Sequence, residues 1–104
     1  QRDVWKDLRS MAFLGLCDSS RRLNQFEQAI PYCQRALTYD SADPYAHYAL
    51  ALSYFRQADA SGSVELLPAA RKHFRSMLDI NPNLAEAEYA RKNIATIDAF
   101  LAAR

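Results

Sequence analysis

The chain has 104 residues, a formal net charge of +1, 50% apolar residues and 24% charged ones. That is one domain with a modest core of its own. Two glycines and four prolines leave too little turn material for a many-stranded β fold. The near-neutral balance offers no basic face for nucleic acid, and no apolar run reaches the roughly 18 residues of a membrane span.

The first helix is expected over residues 3–22. Val4, Trp5, Leu8, Met11, Ala12, Gly15 and Leu16 recur at steps of three and four, the spacing of one helical face. Phe13 and Leu14 widen that arc, so this helix should touch neighbours on two sides. Asp3 suits the N-cap. Asn24 and Glu27 form a capping-box pattern that starts a second helix over 25–40. Its buried stripe is Phe26, Ala29, Ile30, Cys33, Ala36 and Leu37. Pro31 lies inside it, removes one backbone bond and costs about 3 kcal/mol relative to alanine. The expected result is a tolerated kink.

Asp43-Pro44 opens the third helix, over 44–58, as a cap followed by a proline whose missing N–H would be unpaired anyway. One face carries His47, Leu50, Ala51 and Tyr54, and another carries Tyr45, Tyr48, Leu52 and Phe55. Asp59 to Ser63 reads as a loop. The fourth helix, over 64–80, has Leu67, Ala70, Phe74, Met77 and Leu78 as its core stripe and stops before Pro82. Asn83 and Glu86 repeat the capping-box pattern. A last helix over 84–103 lines one side with Ala87, Ala90, Ile94, Ile97 and Leu101 and leaves the other side charged.

Ala29, Cys33 and Ala36 align with Ala70, Phe74 and Met77, and Leu14-Gly15 aligns with Leu50-Ala51. The offsets are 41 and 36 residues, which suggests 34-residue units with loop insertions. Shifting the first helix by two would instead place Leu16-Cys17 opposite Leu50-Ala51. Leu14-Gly15 is preferred because glycine permits close helix approach. With these residues the chain resembles the tetratricopeptide repeat family. His47, Leu50, Ala51, Tyr54, Ala70, Phe74, Met77 and Pro82 follow its pattern, although His47 and Met77 replace the usual tryptophan and alanine. The first unit is looser, with Asp18 where tyrosine is usual and Ser41 where proline is. The order of features is also similar to the C-terminal repeats of large immunophilins and related co-chaperones.

The resemblance implies an all-α fold: antiparallel helix pairs stacked as a short right-handed superhelical solenoid, two units and a capping helix. It also implies a non-catalytic module that binds a partner peptide or helix in a concave groove. The groove residues expected here are Arg9, Phe13, Leu16, Tyr45, Tyr48, Leu52, Glu86, Tyr89 and Asn93. The positions matching the family's carboxylate clamp lack cations and amides, so that mode of chaperone binding is not expected. Two further readings stand beside this one: the partner-binding tail of a larger enzyme or co-chaperone, and a unit that associates with a copy of itself. No cofactor, metal site or nucleic-acid partner is expected. His47 and His73 are read as structural and apart, and Arg71, Lys72 and Arg75 as a solvated face. Cys17 and Cys33 are read as two buried thiols in a reducing, cytoplasmic setting, within a fragment of a longer protein.

Overall fold

The computed structural model describes residues 3–104. The chain is all-α: α1 spans Val4–Arg22, α2 Phe26–Tyr39, α3 Pro44–Ser61, α4 Leu67–Ile80 and α5 Ala87–Ala102, with a 3₁₀ turn over Val64–Leu66. Among the described residues there is no strand, and no helix is long and apolar enough to cross a membrane. Each helix packs chiefly on the next, and α1 also reaches α3. The molecule is elongated, 48 × 28 × 20 Å.

Local chemistry accounts for most helix ends. Asp3 caps α1 by accepting from the Lys6 amide, and Asp43 caps α3 by accepting from the Tyr45 amide. Gly62 ends α3 in the left-handed region at φ 71°, where glycine carries no Cβ penalty. Pro31 is accommodated within α2, which continues to Tyr39.

Two expected capping boxes do not form. Asn24 instead adopts φ 60° and closes α1. Its N–H donates to the Arg21 carbonyl at 2.9 Å, and the Gln25 N–H donates to the Ser20 carbonyl at 2.8 Å. That double bond is a Schellman closure with asparagine as the left-handed residue. At the far end, Asn81 Oδ1 accepts from the Asn83 N–H. The chain between them and Ala87 forms turns, so α5 starts three residues later than expected, with no side-chain cap.

Two apolar cores meet along α3. One holds Cys17, Ala29, Cys33, Ala49 and Leu50, joining α1, α2 and α3. The other holds Ala51, Leu52, Ala70, Phe74, Met77 and the α5 residues Ala90, Ile94 and Ile97. Adjacent α3 residues thus serve different cores: Leu50 turns to α2 and Ala51 to α4. Phe74 is fully buried, with the rings of Tyr48 and Phe55 edge-on at 6.2 and 6.3 Å.

The structure corrects the internal alignment. Gly15 is exposed, and among the described residues nothing beyond its own stretch of helix lies within 4 Å of where its Cβ would be. The small residue that α1 buries is Cys17, fully enclosed opposite Cys33 of α2, as Ala51 is enclosed with Phe74 of α4. The first helices therefore align at 34 residues, with Leu16-Cys17 matching Leu50-Ala51. The cysteines are buried as expected, but they are bonded to each other across α1 and α2, with Cα atoms 5.2 Å apart. The expectation of two free thiols is revised, and the argument from them for a reducing compartment lapses.

Candidate functional site

Four helices line a groove of about 350 Å³, with Arg21 and Arg22 at the end of α1, Phe26 of α2, Tyr48 and Arg56 of α3, and Tyr89 of α5. Leu52 forms part of its floor and is itself buried. The α3 contribution follows from helical geometry, since Tyr45, Tyr48, Leu52 and Arg56 recur at steps of three and four. Glu86, the residue that precedes α5, falls in line with Tyr89 and Asn93 of that helix by the same spacing.

The electrostatics of the groove are mixed. Arg21 is held by Asp18 at 3.3 Å. Arg56 donates to the Tyr89 hydroxyl at 3.4 Å, a long and weak bond. Arg22 has no ion pair among the described residues. Burial raises the Tyr48 phenol above its ordinary range. The neighbouring Tyr89 and Glu86 act in the same direction, against Arg21 and Arg56. Tyr48 therefore remains a neutral hydroxyl, able to donate or accept.

Among the described residues three buried side-chain atoms have no hydrogen-bond partner: Arg21 Nε, Glu86 Oε2 and Asn93 Nδ2. Leaving such a group unpaired costs about 1–3 kcal/mol. Arg21 lines the groove, Glu86 is close enough to bear on Tyr48, and Asn93 follows Glu86 and Tyr89 in that line.

Of the nine expected groove residues, Tyr48, Leu52 and Tyr89 line one cavity; Glu86, just before α5, is near enough to bear on Tyr48, and Asn93 is buried within α5. Tyr45 stands exposed at the start of α3. The three α1 residues go elsewhere. Phe13 stacks on Tyr39 at 5.9 Å, with the Arg35 guanidinium 4.7 Å from its ring. Arg9 lies over the other ring of that pair, Tyr39, at 5.9 Å. Leu16 is exposed. The cause is the two-residue misalignment of α1. At the 34-residue offset, Tyr48, Leu52 and Arg56 correspond to Leu14, Asp18 and Arg22, so the corrected alignment finds Arg22.

His47 and His73, expected apart, meet between α3 and α4 with Nδ1 atoms 2.9 Å apart. The His47 Nε2 lies 2.8 Å from the Ser41 carbonyl, which can only accept. In the neutral ring Nε2 therefore carries the proton, Nδ1 offers its lone pair, and His73 Nδ1–H donates to it. Burial, with His47 and Lys72 nearby, lowers the His73 pKa to about 4. Among the described residues no group of three or more His, Cys, Asp or Glu is placed to hold a metal ion. Arg71 of the basic cluster pairs with Asp98 through bonds of 2.6 and 3.2 Å on the exposed surface.

A second groove, of about 400 Å³, lies between the end of α3 and α5. It is lined by Phe55, Ala58, Val64, Leu67, Ile97 and Phe100 among others. Sequence spacing did not point to it, because its walls come from helix ends and the loop at Gly62. Scanned against models of known families, the chain matches none, and neither the curated proteins nor the solved structures contain a match to it.

Proposed function

We propose that this chain is a non-catalytic interaction module of the tetratricopeptide kind. Its helix pairs stack as a short solenoid closed by α5, and it takes an extended segment of a partner protein in the groove between α1, α3 and α5. The observation that carries this reading is the groove's lining, in which the rings of Phe26, Tyr48 and Tyr89 stand beside the guanidinium groups of Arg21, Arg22 and Arg56. Tyr48, Tyr89 and Phe26 supply apolar contact. Arg22 and Arg56 favour a segment bearing carboxylates, which guanidinium groups bind with charge-assisted bonds.

Selection from a displayed peptide library tests this. Enriched peptides should carry Asp or Glu beside an apolar residue. Their affinity, read by fluorescence anisotropy, should fall at least tenfold in Arg22→Glu and Arg56→Glu and in Tyr48→Ala. Leu52 is unsuitable as a probe because it is buried and Leu52→Asp would perturb the fold. Peptides that bind all three variants as well as wild type would place the partner surface elsewhere.

A further inference from the structure

Helix α1 has two apolar faces, and α2 covers one. On the other, Trp5 and Met11 are 68% and 69% exposed, and Val4, Leu8 and Leu16 are 60%, 48% and 45% exposed. Ala12, Gly15 and Ser19, also exposed, complete a continuous strip. Scattered apolar residues on a surface are ordinary, but a helix-long strip of them marks a contact face.

Helix α3 shows what covers such a face. Thirty-four residues on from Ala12, Gly15, Leu16 and Ser19 stand Ala46, Ala49, Leu50 and Ser53, all buried. Ala49 and Leu50 share one core with Ala29 and Cys33 of α2. Among the described residues no helix lies on the equivalent face of α1. Glycine inside a helix costs about 1 kcal/mol relative to alanine. Among the described residues nothing occupies the space that Gly15 leaves.

The strip is graded. Its N-terminal half is bulky, with Val4, Trp5, Leu8 and Met11, and its C-terminal half is smaller, with Leu16 as the one large residue among Ala12, Gly15 and Ser19. Trp5 and Ser19 lie equally far on either side of Ala12, as do Leu8 and Leu16. Running antiparallel, a second α1 sets Trp5 over Ser19 and Leu8 beside Gly15 and Leu16, with Ala12 on Ala12. A parallel copy would stack Trp5 on Trp5 and leave the small half unfilled.

We propose that α1 docks antiparallel on α1 of a second copy, forming a two-fold dimer with Ala12 on the axis. This does not depend on the groove reading. The strip from Val4 to Ser19 is about 24 Å long at 1.5 Å per residue. One such face is smaller than the roughly 800 Å² per partner of a stable interface, so the dimer dissociates in the micromolar range.

Trp5 is the single tryptophan of the chain, so its emission reports on this face alone. Sedimentation equilibrium from about 1 to 500 µM should show the mass doubling, with Trp5 emission moving to the blue in step. Leu8→Lys and Gly15→Leu should each weaken the dimer at least tenfold. Because both sites are exposed, the far-ultraviolet circular dichroism of the monomer should stay unchanged. Mild oxidation should cross-link Ala12→Cys to itself. It should also cross-link Trp5→Cys to Ser19→Cys in a mixture, but not Trp5→Cys alone, whose sites lie about 21 Å apart in the antiparallel pair. A monomer at every concentration, a dimer that survives both substitutions, or Trp5→Cys linking to itself would overturn the proposal. So would a monomer whose Trp5 emission shifts only with a peptide of the α2 sequence, which would assign the face to a helix of that kind.

Discussion

Acid should weaken this fold through one residue. His73 is half-buried between α3 and α4, and its pKa is lowered to about 4, first by burial and then by His47 and Lys72. In the unfolded chain it returns to about 6.5. Between those values the unfolded state binds a proton that the folded state refuses, so stability rises with pH across this window. The contribution is complete above about pH 6.5 and is lost as the pH falls toward 4. At about 1.36 kcal/mol per pH unit the shift sets a ceiling near 3.4 kcal/mol. Partial exposure to solvent brings the expected loss to about 1–2 kcal/mol. Urea unfolding at pH 7.5, 5.5 and 4.5 measures it. His73→Gln keeps a donor for His47 Nδ1 but does not titrate, so its stability should change less than wild type's over the range by that amount. Parallel curves for the two proteins would refute the reasoning, because the acid sensitivity would then belong to other groups.

Phe74→Ala removes a fully enclosed ring that touches both Tyr48 and Phe55. It should cost about 3–5 kcal/mol in denaturant unfolding. That is a large share of the roughly 5–15 kcal/mol that holds a domain of this size together. The two capping patterns should separate in the same assay. Asp43→Ala should cost about 1 kcal/mol, since Asp43 accepts from the Tyr45 amide. Asn83→Ala should cost less than about 0.5 kcal/mol, because the cap it was expected to provide does not form.

The helices and their core stripes were legible because apolar spacing is a property of the element itself. Ala29, Cys33, Ala36, Ala70, Phe74, Met77, Ala90 and Ile97 are all buried where periodicity put them. Helix ends were less legible because asparagine serves two opposed roles. It caps a starting helix through its side chain, and it tolerates the left-handed backbone that finishes one. At Asn24 the second role won, and the pattern with Glu27 carried no weight. The α1 alignment failed for a related reason. Glycine and cysteine are both small enough for close packing, and composition alone does not say which of two apolar faces has a neighbour. The His47–His73 contact was hidden because 26 residues separate the pair in sequence and α4 begins only after the loop at Gly62.

Helix α3 ties these observations together, because one period of 3.6 gives it three separate jobs. Ala49 and Leu50 meet the helix before it, Ala51 and Ala58 enter the core formed with the helix after it, and Tyr48, Leu52 and Arg56 turn to the groove. Helix α1 carries the same division thirty-four residues earlier in the chain. Cys17 meets α2 and Arg22 reaches the groove, while Ala12, Gly15, Leu16 and Ser19 have the place that in α3 belongs to a preceding helix. The groove and the bare strip therefore involve different residues of one helix. Substitution at Arg22 and at Leu8 should act on separate readouts, peptide affinity and self-association, which lets either reading fail without the other.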